Sequence, residues 1–222
     1  MLFLVYFMDV LFLRTKSKNK INFKQIDVKI LPKKISLAAT VQYSDSLADI
    51  KKFLESKDRK VEKVLQILGC SDIKAGKENA FLYIGSGIFH PLNVTLKTKK
   101  KVFVFNPLTD KTYELDKRDI ERIEGIKKAN KIKIIDAKNI GFIISLKPGQ
   151  IAKERLDKVF LLKEKFEKEG KNCFLFLTET LNKEEFENFR IDFWINAGCP
   201  RITDDFYFDS DNRFSILNIS DL

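Results

Sequence analysis

Hydrophobic positions along the 222-residue chain fall into short, nearly continuous runs, separated by stretches in which apolar residues return every three or four positions. The first pattern is that of strands buried on both faces, and the second that of helices with one apolar side. Their alternation predicts parallel α/β layers. Residues 35–41 read as a buried strand, after which Ser44 or Asp45 caps a helix whose Leu47, Ile50, Phe53 and Leu54 share one side. Residues 61–68, 80–84 and 101–105 form further strands, and a charged helix over about 117–135 closes this group. A second group then repeats the plan, with a strand over 141–145, a helix over 151–169, a strand over 173–177, a short helix near Glu184 and a strand over 193–195. The expected fold class is α/β, with two repeated parallel-sheet βα domains over 35–137 and 138–222, each bearing one cysteine in a loop behind a strand: Cys70 and Cys199.

Ahead of these domains, residues 1–13 are almost wholly apolar apart from Asp9. They are too few for a spanning helix, which needs about 20 residues. A secretory signal would want a basic start and a small-residue cleavage site, and neither is present. The run suits a buried strand, and residues 14–34 a polar connector. Residues 1–34 are therefore expected to be a remnant closing strand of a missing first domain, followed by its connector.

Composition alters this picture in two ways. Lys plus Arg number 41 against 31 Asp plus Glu, a net charge of +10 that would steer the chain toward a polyanion or an acidic protein surface. The basic residues are scattered, with short clusters such as Lys97, Lys99, Lys100 and Lys101. No aromatic-interleaved basic stripe or known reading module is present, so no direct nucleic-acid role is expected, and no membrane role either. The three cysteines, with no signal for secretion, indicate a cytoplasmic chain with reduced thiols. Cys173 lies inside the apolar run 173–177 and reads as a small buried hydrophobe. Cys70 and Cys199, at loops beyond strand ends where open α/β sheets place their chemistry, read as ligands rather than as a disulfide.

Three loops carry the remaining candidate chemistry. Tyr83-Ile84-Gly85-Ser86-Gly87-Ile88-Phe89-His90-Pro91 reads as a strand end, a glycine turn and a helix start. Such a turn lets backbone amides approach a ligand, and the helix start favours an anionic group; the alternative is that the glycines serve only to turn the chain. Ser145-Leu146-Lys147-Pro148-Gly149-Gln150 and Asn196-Ala197-Gly198-Cys199-Pro200-Arg201-Ile202 are the other two. A nucleotide-binding role for the glycine turn lacks the lysine motif that cradles phosphates.

Taken together with Leu68-Gly69-Cys70, these motifs resemble in order and spacing the archaeal diphthamide synthases, the 2-(3-amino-3-carboxypropyl)histidine synthases, over residues 35–206. The resemblance implies three similar α/β domains around a central site, each giving one cysteine to a four-iron four-sulfur cluster. It implies transfer of the 3-amino-3-carboxypropyl group of S-adenosylmethionine to a histidine of elongation factor 2, the first step of diphthamide formation. Cys70 and Cys199 match the middle-domain and last-domain ligands, and the third ligand is expected from a chain supplying the missing first domain or from a homodimer. An electron donor is a further expected partner. Gly85, Ser86, Gly87, His90, Lys147, Gln150 and Arg201 are the expected cofactor-binding residues. His90 either contacts substrate or caps a helix, Lys147 and Gln150 either hold the methionyl carboxylate or face solvent, and Arg201 either neutralises charge at the site or pairs with an acidic neighbour. Asp204 and Asp205 are expected only to cap a helix. The alternative to an enzyme is a non-catalytic or degenerate subunit of a synthase complex.

Overall fold

The computed structural model describes residues 13, 15, 17–18, 21–68, 71, 73–147, 150, 153–208 and 214–222. Cys70 and nearly all of the strand expected over residues 1–13 lie outside the described residues. The chain divides into two units, residues 13–122 and a second unit containing residues 123–222, each with its own sheet.

In the first unit, β1 (Lys34–Ala39), α1 (Leu47–Glu55), β2 (Lys60–Gln66), β3 (Ala80–Ile84), α2 (Phe89–Thr98), β4 (Lys101–Asn106) and β5 (Lys111–Glu114) follow in chain order. The sheet order is β2-β1-β3-β4-β5, parallel through β4, with β5 returning antiparallel. Every residue of β3 is buried because both faces of the sheet are covered. Leu37, Leu82 and Phe105 pack on one side with Leu47, Ile50 and Leu54 of α1. Ala38, Phe81, Tyr83 and Val104 pack on the other with Val94 of α2. The helix start differs from expectation: a single 3-10 turn over Ser44–Ser46 leads into α1, and the Ser44 hydroxyl donates to the Val41 carbonyl (3.1 Å) instead of capping it. β5 was not legible in the hydrophobic pattern, because Lys111, Tyr113 and Glu114 are exposed and the strand is made by a turn with Asp110 at a φ of 52°.

α3 (Lys117–Asp136) runs across the division, and the second unit continues with β6 (Asn139–Ser145), α4 (Lys153–Lys168), β7 (Asn172–Thr178), α5 (Lys183–Glu187), β8 (Phe193–Asn196), α6 (Pro200–Phe208) and β9 (Ile216–Asn218). All four strands are parallel, in the order β7-β6-β8-β9. Phe142, Ile144, Ile195 and Leu217 form one core face with Val159 and Phe166 of α4. On the opposite face Trp194 packs edge-on against Phe176 and Phe186 and stacks on Phe214. Cys173 is half-buried on β7, packed against the core, and burial pushes its thiol pKa up. No helix among the described residues is long and apolar enough to cross a membrane.

Candidate functional site

Parallel strands end together, so each unit gathers its loops along one edge of its sheet. In the first unit β3 runs out at Ile84 into Gly85, whose N–H donates to the Phe105 carbonyl at 3.0 Å. Tyr83 is buried, with its phenol hydrogen-bonded to the Thr40 side chain beyond the end of β1. That hydroxyl lies 2.6 Å from the place where a Cβ on Gly85 would stand, so residue 85 has no room for a side chain. Gly87 adopts a φ of +76° with open space around it, a conformation that glycine takes readily and other residues avoid. Ser86 and Gly87 are exposed.

His90 lies within the first turn of α2, half-buried, with its ring stacked over Tyr83 (centroids 6.0 Å apart, planes 13° apart) and edge-on to Phe89 (5.0 Å). Gly85 and His90 therefore both border the Tyr83 side chain, while Ser86 and Gly87 face open space. Burial pushes the Tyr83 phenol up to about 12, against the opposing pull of the Thr40 hydrogen bond. The phenol thus stays neutral and able to donate throughout the physiological range. Tyr83 and Thr40 were not anticipated beside the turn. Their apolar strand context conceals them, although a tyrosine two residues before a glycine turn was the signal available.

In the second unit the loop after β8 carries Cys199, half-buried immediately before α6. Pro200 opens that helix, where a missing N–H costs nothing. Asn196, 1% exposed, is the side chain that shapes the loop. Its Oδ1 accepts from the Gly198 N–H at 2.9 Å, and its Nδ2 donates to the Cys199 carbonyl at 2.8 Å. The same Nδ2 faces Thr203 Oγ1 at 3.0 Å and Asn218 Oδ1 at 2.8 Å, and the Thr203 hydroxyl donates to Asn218 Oδ1 at 2.8 Å. Arg155 of α4 donates to the Gly198 carbonyl at 2.9 Å, and the Ala197 N–H to the Ile143 carbonyl at 2.9 Å.

Lys147 is exposed just past β6, its N–H bonded to Ser145 Oγ at 3.3 Å. Gln150 is half-buried, and its Oε1 is buried with no partner among the described residues. That oxygen lies 3.7 Å from the ideal Cβ position of Gly198, so it sits beside the cysteine loop. Arg201 is exposed and pairs with Asp205 at 3.2 Å. Asp204 and Asp205 lie inside α6 rather than at its cap.

A half-buried thiol on a pinned loop, with the unpartnered Gln150 oxygen beside that loop, fits one corner of a thiolate-held cluster. Among the described residues no three His, Cys, Asp or Glu side chains converge as a metal-binding set. Of the sequence-level candidates, Cys199 and Gln150 share one loop region, while Arg201 turns to its own helix neighbour. Asn196, Thr203, Asn218 and Arg155 were not anticipated, because their importance lies in bonds that only the folded loop creates.

The family described as "Putative diphthamide synthesis protein" matches residues 3–214. The 2-(3-amino-3-carboxypropyl)histidine synthase of Pyrococcus horikoshii is 31% identical over 191 residues, covering 82% of this chain and 54% of that protein. The enzyme of the same name from Methanocaldococcus jannaschii is 29% identical over 178 residues, 79% of this chain and 47% of that protein. The chain thus spans about half the length of the curated relatives it matches. Among solved structures, Dph2 from Pyrococcus horikoshii superposes with a TM-score of 0.77 at 26% identity, over 93% of this chain and 62% of that one. Dph2 from the same organism with a 4Fe-4S cluster gives 0.73 at 29% identity, over 88% and 57%. With a family match running almost from end to end, on a fold shared with these structures, the chain belongs to the diphthamide synthesis protein family.

Proposed function

We propose that this chain takes part in transferring the 3-amino-3-carboxypropyl group of S-adenosylmethionine to a histidine of elongation factor 2, the first step of diphthamide formation. The observation that carries the reading is Cys199, presented at the carboxyl end of β8 by a pinned loop, within a family match over residues 3–214. A four-iron four-sulfur cluster, when bound, supplies the one-electron reduction that breaks a carbon–sulfur bond of the sulfonium. Cys199 and Cys70 would hold it as thiolates, with the third ligand donated by a further chain, or by a second copy in a homodimer. In this reading residues 35–137 and 138–222 act as the middle and last domains of the synthase. The reading places the chain in the cytoplasm, where thiols are reduced and an electron donor is at hand.

The chain's own residues bind and orient. In the second unit the exposed Lys147 suits the methionyl carboxylate, and in the first the exposed backbone at Ser86 and Gly87 suits an anionic group. Gln150 Oε1 can only accept a hydrogen bond, so it suits the methionyl ammonium. His90, stacked on Tyr83, follows the turn at the start of α2. Arg201 is engaged by Asp205 and would have to leave that pair to meet substrate.

The deciding experiment is anaerobic iron–sulfur reconstitution of the chain, alone and with a full-length family member as donor of the missing ligand, reading iron content and spin resonance with and without S-adenosylmethionine. A cluster perturbed by S-adenosylmethionine, lost in both Cys70→Ala and Cys199→Ala, together with labelled transfer to elongation factor 2, is the expected result. Equal iron in the wild type and both variants, with no labelled transfer, overturns the assignment in favour of a non-catalytic subunit.

A further inference from the structure

We propose that Asn196 is a positioning residue for the Cys199 thiol, acting through the backbone on both sides of the sulfur; the proposal rests on the reading of Cys199 as a cluster ligand. One carboxamide bonds to the amide before the cysteine and to the carbonyl of the cysteine itself, at 2.9 and 2.8 Å. The Cys199 Cα is thereby held between two bonds from a single rigid group. The orientation of that group is dictated by its partners: an N–H needs the oxygen and a C=O needs the nitrogen, so the amide has one productive setting.

The second amide hydrogen is shared between Thr203 Oγ1 and Asn218 Oδ1, both on buried side chains, and the Thr203 hydroxyl closes the triangle onto Asn218. Asn196 therefore cannot rotate without breaking four contacts at once. Gly198 completes the clamp, because a Cβ there would meet Ser145 Cβ at 3.0 Å and Asn196 Oδ1 at 3.2 Å. Desolvating three polar side chains is costly, and an apolar trio of similar volume would pack as well. What the polar trio adds is a fixed path for the loop that presents the thiol, the role that supporting hydrogen bonds play around metal ligands.

The test uses two readouts on the full chain under anaerobic conditions. The first is the rate of iodoacetamide alkylation at Cys199 in the metal-free protein, resolved by mass spectrometry, with Cys173 as internal reference because it lies on a different strand. The second is iron retention and the spin-resonance signature after reconstitution. In Asn196→Ala and Asn196→Asp, Cys199 is expected to alkylate several-fold faster while Cys173 is unchanged, and iron affinity to fall about tenfold or more. Aspartate keeps the acceptor for Gly198 but turns a second acceptor toward the Cys199 carbonyl, so it should not rescue. Should either variant fail to fold by circular dichroism, Thr203→Val carries the test, since it removes the outer lock without touching the loop; Thr203→Ser should restore wild-type behaviour. Folded variants that alkylate Cys199 at the wild-type rate overturn the clamp. If Cys199→Ala retains iron as well as the wild type, the ligand reading fails separately, and the alkylation rates still decide whether Asn196 holds the loop.

Discussion

Gly141, in the middle of β6, is small because its register partner is large. Trp194 lies opposite it on β8, and a Cβ at residue 141 would stand 2.6 Å from two carbons of the indole and 3.2 Å from Ile191 Cγ2. The indole cannot retreat, since Phe176 and Phe186 press on it edge-on and Phe214 stacks against it at 5.8 Å. Gly141→Ala is expected to destabilise the protein by about 1–3 kcal/mol, the usual range for an overpacked core. Denaturant unfolding followed by fluorescence checks this, and because Trp194 is the only tryptophan in the chain the emission also reports whether the indole has been displaced. An unchanged midpoint would mean that the sheet can part at this point, contrary to the packing around the indole. Gly85 carries the same constraint in the first unit, where the Tyr83 phenol fills the space of a side chain.

Strands buried on both faces were the plainest to read, although the partly exposed β2 and β7 were also anticipated. β1, β3, β4, β6 and β8 are runs such as Ala80–Ile84 in which hydrophobicity alone marks a strand, and the loops that follow them hold the candidate chemistry. β5 and β9 escaped because one is polar and exposed and the other has three residues, so neither has a period to read. The cysteine loop was legible as a motif, whereas the polar trio behind it was not, because Thr203 and Asn218 meet Asn196 only once α6 and β9 have packed. Glu78 is a further case hidden from pattern. Its carboxylate, 1% exposed at the entry to β3, accepts from the Gly76 N–H at 2.6 Å and from the Ser36 hydroxyl at 3.2 Å. Burial alone would raise its pKa, but the Gly76 and Ser36 hydrogen bonds and the charge of Lys63 outweigh burial and hold it below the ordinary carboxylate value. A lowered pKa contributes stability that is present above the unfolded carboxylate pKa and is lost as pH falls through the folded one. Acid unfolding of the wild type should therefore include a contribution from Glu78 that Glu78→Gln lacks. The variant should be destabilised by about 1–3 kcal/mol at neutral pH and approach the wild type in acid. A variant whose deficit stays constant from neutral pH into acid would show that the carboxylate is not held in its charged form.

At the scale of the molecule, the hydrophobic cores built from the described residues each draw on one unit. The cores of the first unit draw on residues 26–105, flanking both faces of the five-stranded sheet, and that of the second on residues 134–219. A cooperative transition belongs to a core, so two cores of separate composition can unfold at different denaturant concentrations. Trp194 reports only the second unit, while far-ultraviolet circular dichroism reports the helices of both. Leu82→Ala empties a fully buried position in the first core and should cost that unit about 2–5 kcal/mol. The expected outcome is that the circular dichroism curve moves to lower denaturant or splits, while the fluorescence midpoint holds its wild-type value. Ile195→Ala, in the second core, should move the fluorescence midpoint instead. If Leu82→Ala shifts both signals equally, the two units unfold as one cooperative body. A change in the first unit would then also reach the Cys199 loop, and the Asn196 variants would have to be judged against global as well as local loosening.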